Sequence, residues 1–162
     1  MNTSYFRPCV VRSERARVLR QLPGETITIL LSCEETGGSF AMCMDENAPG
    51  GGSPLHIHRR EDETFHVLEG VIEFQVGHEK HVLTAGDSVF APRGIPHAFR
   101  NVGKGNSRTL FLITPAGLED FFVEVEPLLS GSEPDMAAVF SIAERYGIEL
   151  MQPVDVEATT QI

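Results

Sequence analysis

The sequence predicts an all-β sandwich or barrel followed by two helices, on three observations. From residue 25 to 114, short β-favouring runs are broken by turn residues. No helical pattern intervenes between those runs, which makes antiparallel pairing the natural choice. After Thr114 the apolar period becomes that of a helix.

The elements follow in order. Residues 26–32 read as the first strand, Gly37-Gly38 as the turn after it and residues 39–44 as the second strand. Further strands are predicted over 64–68, 71–76, 81–83, 88–91, 97–101 and 109–113. Thr114 is placed as an N-cap with Pro115 in the first helical position, since Leu118, Phe121, Phe122, Val125 and Leu128 then recur at helical spacing. A second helix is expected over 134–146, with Met136, Val139, Phe140 and Ala143 on one face and Gly147 as its stop. Both helices are expected to pack against the outside of the barrel. The chain thus divides into an N-terminal arm over 1–24, a barrel over 25–116, helices of the same domain over 117–150 and an aperiodic tail over 151–162 expected to fray.

A chain of 162 residues suits one domain with a full core. Its 41% hydrophobic and 22% charged residues argue against disorder and against a fibrous protein. The net charge of −10, with Lys80 and Lys104 the only lysines, speaks against nucleic-acid binding. Arg7, Arg12, Arg15, Arg17 and Arg20 are read as solvated charges on a peripheral strand or a subunit contact. No apolar run approaches the ~20 residues of a membrane span or has the form of a signal peptide, so a cytoplasmic protein is expected, with no membrane partner. Cys9, Cys33 and Cys43 lack zinc-site spacing and are odd in number, against a disulfide framework. Cys33 and Cys43, in strand-like segments, are read as small buried hydrophobes.

Two glycine-bracketed histidine motifs carry the chemistry. Gly50, His56, His58, Glu63 and Gly70 form one; Gly86, Pro92, Gly94, His97 and Asn101 form the other. Side chains two apart on a strand share a face, so His56 and His58 point together into the barrel. Glu63 shares its face with Phe65 and Val67, and the turn at Pro92-Arg93-Gly94 delivers His97. Three imidazoles and a carboxylate are a nitrogen-rich set suited to one divalent transition metal, whether Fe, Ni, Mn, Cu, Co or Zn. Glu61, Asp62, Glu69 and His66 compete for the ligand role. Asp62 fits a shorter spacing, but strand parity favours Glu63 and turns His66 away. His78 and His81 flank a charged hairpin and are read as solvent-exposed. Phe40, Met42, Met44, Phe65 and Phe99 are candidates for lining an apolar pocket around the site.

These ten positions match the paired signature G-x5-H-x-H-x4-E-x6-G and G-x5-P-x-G-x2-H-x3-N, and the chain resembles the cupin family in it. The resemblance implies a double-stranded β-helix, or jelly-roll barrel, with His56, His58, Glu63 and His97 as metal ligands. A cupin that has lost its metal would keep the same histidines in structural roles. The stretches 58–63 and 67–70 are similar to small bacterial cupins of the quercetin 2,3-dioxygenase-like kind. That likeness implies a metal-dependent dioxygenase acting on a small, partly aromatic molecule with O2, Glu63 serving as ligand and as catalytic base. The alternatives are a non-catalytic metal-dependent binding or sensing module, and a metal-assisted isomerase or decarboxylase. Small cupins of this kind commonly pair, and an exposed sheet edge favours pairing, so a homodimer is expected.

Overall fold

The computed structural model describes residues 8–129 and 133–151. In chain order these form β1 (Arg17–Arg20), β2 (Glu25–Leu31), the helical turn α1 (Cys33–Thr36), β3 (Ala41–Asn47), β4 (His56–His58), β5 (Asp62–Glu69) and β6 (Val71–Val76). There follow β7 (Glu79–Thr84), β8 (Ser88–Ala91), β9 (His97–Asn101), β10 (Ser107–Thr114), α2 (Glu119–Leu129), α3 (Met136–Tyr146) and β11 (Ile148–Leu150). One antiparallel sheet runs β1-β2-β3-β10-β5-β8 and the other β11-β4-β9-β6-β7, the two-sheet layout of a jelly roll. Arg7 and everything past Met151 in the expected tail lie outside the described residues.

Alternation of burial along β3 and β10, and along β5 as far as Val67, separates an inner from an outer face. Across the larger sheet the register stacks inward side chains in rows. Ala91, Glu63, Ile113 and Ala41 form one row; Phe65, Phe111, Cys43 and Ile29 the next; Val67, Thr109, Asp45 and Ile27 the third. Phe65 anchors the core, stacked on Phe111 at 5.7 Å and tilted against Phe74 at 5.2 Å and Phe99 at 5.7 Å. Each such ring pair contributes about 0.5–1.5 kcal/mol beyond its buried area.

Several expectations need correction. Phe40, Met42 and Met44 do not border the cavity described below: Phe40 precedes β3, and the inward positions of that strand are Ala41, Cys43, Asp45 and Asn47. Met42 and Met44 pair instead with Leu112 and Leu110 on the outer face, so the larger apolar residues mark the wrong side of this strand. Cys33 is exposed, because Ser32 ends the strand by capping α1, accepting the Glu34 N–H while Glu35 accepts the Ser32 N–H at 2.8 Å. Cys43 is buried as expected.

Helix α2 starts at Glu119 rather than at Pro115, since Thr114 is still paired with Asp62 in the sheet. The buried Glu119 carboxylate accepts the backbone N–H groups of Gly117 and Cys33, both at 2.6 Å, which ties α2 to α1. Asp135 caps α3 through the Ala138 N–H, and Gly147 ends it with φ 76°, a left-handed value that costs glycine little. The inward face of α3 is Val139, Ile142 and Ala143, whereas Met136 and Phe140 are exposed. Packing against Val125 and Leu129 of α2 sets that rotation. Strand β11, too short to show a period in the sequence, pairs with β4 and so braces the strand that carries two of the histidines.

Candidate metal centre

Four buried side chains meet between the sheets: His56, His58, Glu63 and His97. His56 and His58 lie on the inner face of β4, and His97 stands directly opposite His56 on β9. The turn before His97 is tied to β4, because Gly94 donates its N–H to the His58 carbonyl at 2.8 Å. Glu63 comes from the opposite sheet, on the inner face of β5. One potential ligand atom from each lies within 4.8 Å of all the others.

Hydrogen bonds orient the rings. His56 Nδ1 donates to the Pro54 carbonyl at 2.7 Å and His97 Nδ1 to the Ile95 carbonyl at 3.0 Å, which turns each Nε2 toward the cluster, where it is a lone pair in the neutral ring. Those atoms converge: His56 Nε2 is 2.9 Å from His58 Nε2, and Glu63 Oε2 is 2.9 Å from His97 Nε2 and 3.2 Å from His58 Nε2. Lone pairs crowded this closely repel unless protons or a cation sit among them. A single divalent ion satisfies all of them at once, and three nitrogens with one oxygen suit a borderline transition metal. The donor set therefore fits such an ion, in keeping with the family resemblance.

Electrostatics at His56 and Glu63 agree with that use. Burial lowers His56 to about 3, and the positive forms of His97 and His58 would push the same way, so His56 is neutral and able to donate a lone pair. Burial by itself would raise Glu63, but the charge and hydrogen bonds of His58 and His97 outweigh it and hold the carboxyl well below the usual range. For His97, burial acts downward and is overcome by the hydrogen bond and charge of Glu63, giving a net rise. The centre thus keeps a carboxylate anion in an interior that would otherwise neutralise it.

The competing residues go elsewhere. His66 faces away from the centre and meets Ser88 Oγ at 2.8 Å. Asp62 accepts from Arg93 Nε at 2.9 Å, Nη2 at 2.8 Å and the backbone N–H at 2.9 Å. Glu69 lies near Arg108 at 3.8 Å; Glu61 is buried yet outside the cluster; His78 and His81 are exposed. Asn101, last of the second motif, shapes loops instead of ligating: its Nδ2 donates to the carbonyls of Asn47 and Gly105, both at 2.9 Å. Its carbonyl accepts the Gly50 N–H at 2.8 Å, joining the two motifs.

A cavity of about 150 Å³ opens beside the cluster, bordered by His56, His58 and Glu63. That is room for roughly one aromatic ring. Phe65, Phe99, Phe111, Phe121 and Phe122 border it. The last two come from α2, so the helix closes the cavity as well as covering the barrel. Strand parity on β10 points to Phe111, but nothing in the sequence places α2 over the site.

Residues 44–113 match the family model described as Cupin domain. Over 94 residues the chain is 31% identical to quercetin 2,3-dioxygenase of Bacillus subtilis (strain 168), an alignment covering 57% of this chain and 27% of that one. The chain therefore spans about a quarter of that relative's length. With polyketide synthase CurC of Streptomyces cyaneus it shares 26% identity over 142 residues, 88% of this chain and 92% of the relative. Among solved structures, KdgF from Halomonas sp. superposes with a TM-score of 0.63 at 19% identity, covering 70% of this chain and 99% of that one, a likeness of fold.

Proposed function

We propose that this chain, a small member of the cupin superfamily, holds one divalent transition metal on His56, His58, Glu63 and His97 and acts as a dioxygenase on a hydroxylated aromatic molecule. The observation that carries the reading is the juxtaposition of four converging donor atoms with a phenylalanine-lined cavity of about one ring. Those four residues would hold the ion, which when bound would supply Lewis acidity toward a hydroxyl group and redox chemistry with O2. The chain's own residues do the rest. Phe65, Phe99 and Phe111 seat the ring and exclude water, and the Pro54 and Ile95 carbonyls hold the imidazoles of His56 and His97 in orientation. Glu63 stays ionised, the form that can both ligate and accept a proton from the incoming hydroxyl.

The same depression makes Glu63 a weak base, so its two roles must be separated by substitution. Glu63→Gln keeps an oxygen donor at equal reach and removes the charge and nearly all the basicity. Partial metal binding is expected to survive, while turnover at matched occupancy falls by roughly 10²–10⁴, as for loss of a general base. An oxygen electrode with a panel of flavonols and smaller phenols measures this. Equal rates in the two proteins would leave Glu63 a ligand only.

A second reading rests on the near full-length similarity to a polyketide synthase protein: metal-assisted proton transfer on an enolisable aromatic precursor without oxygen. Conversion that proceeds equally in the absence of air would favour it. Binding without conversion under either condition would leave a metal-dependent binding module.

A further inference from the structure

Away from the metal cluster, the cavity has a second polar pole. Asp45, on β3, is 2% exposed and borders the cavity together with Glu25, Ser53 and Gln21. Its Oδ2 accepts from Asn47 Nδ2, while its Oδ1 has no hydrogen-bond partner among the described residues; Ser53 Oγ has none among them either. Gln21 is engaged, its Nε2 donating to the Phe122 carbonyl at 3.0 Å. A buried carboxyl oxygen left unpaired costs on the order of 1–3 kcal/mol, a cost that a ligand's donor would relieve.

The register places this pole relative to the metal donors. Asp45 lies in the row of Val67, Thr109 and Ile27; Glu63 lies two rows away, and the apolar row of Phe65, Phe111 and Cys43 runs between them. A ligand with one end at the metal cluster and a ring over Phe65 and Phe111 would bring its far substituent toward Asp45.

On the reading that the cavity takes an aromatic ligand, we infer that Asp45, assisted by Ser53, selects ligands carrying a neutral hydroxyl group at the end remote from the metal-binding end. Burial and then the neighbouring Glu25 carboxylate push the Asp45 carboxyl well above the usual range, which favours a hydroxyl partner over a cationic one. The neutral acid can also donate, so a hydroxyl satisfies it in either sense.

Three catechols matched in size test the inference by calorimetric titration of the full chain, as purified, without oxygen: 4-(2-hydroxyethyl)catechol, 4-propylcatechol and 4-(2-aminoethyl)catechol. The catechol end is common to all, so their differences report the remote pole. The hydroxyl-tailed ligand is expected to bind about tenfold tighter than the propyl one, the worth of one buried hydrogen bond. Asp45→Val is expected to abolish or invert that ratio, and Asp45→Asn, which keeps size and an acceptor, to retain most of it. If Asp45→Val does not fold, the wild-type ratio and the Asn variant still decide. Equal binding of the hydroxyl and propyl ligands, or tightest binding of the ammonium ligand, overturns the inference while leaving the aromatic cavity standing. Failure of all three to bind overturns both.

Discussion

Adjacent acids on β5 have opposite fates. Glu63 points inward to the imidazoles, and Asp62 points outward to Arg93. The side-chain and backbone hydrogen bonds of Arg93 lower the Asp62 carboxyl to about 2. Its folded value thus lies below the ~3.9 of an unfolded chain. The stability it contributes is therefore complete above that value and is lost as the pH falls through 2. In Arg93→Ala, the Asp62 carboxyl resonance should titrate closer to the ordinary range. Acid unfolding of variant and wild type should differ near pH 4 and converge below pH 2. An unchanged Asp62 titration would show that the pair does not hold the carboxylate. The choice between these neighbours was legible in the sequence because parity on a strand is binary. Asp45 was not legible: an acid on the inner face of an apolar strand breaks the pattern by which such faces are recognised.

Strands bounded by turn glycines on both sides were readable from the sequence, and β6, β8 and β9 have the predicted limits. Elements with no period of their own stayed hidden: β11 is defined by its pairing with β4, and α1 is a single turn marked only by the Ser32–Glu35 capping box. The loop before β4 shows how closely such pairing is built. Gly52 has φ 148°, and a Cβ there would lie 2.1 Å from the Phe99 carbonyl oxygen and 2.9 Å from Arg100 Cα. Both belong to β9, the strand that carries His97. Gly86, with φ 97°, has open space around it, so a side chain there meets only backbone strain of roughly 1–2 kcal/mol. Thermal melts should rank Gly52→Ala well below Gly86→Ala, and Gly52→Ala alone should lose metal occupancy. A reversed order would mean that β9 yields without consequence for the site.

At the scale of the whole molecule, the two sheets and α2 enclose one space, with the four donors between the sheets and phenylalanines from both layers around it. A metal bound only by this assembled state stabilises it by mass action, by about 2.7 kcal/mol at a hundredfold excess over Kd. For a domain of this size, stripping the ion with chelator should lower the Tm by roughly 5–10 °C. An unchanged Tm in a sample that began metal-loaded would mean that the site is not coupled to folding. If four side chains share one ion, elemental analysis of purified variants will show it. Wild type and His66→Ala should each carry one equivalent of metal, and His56→Ala and His97→Ala should lose most of it. Full occupancy in His97→Ala, or loss in His66→Ala alone, would contradict the account.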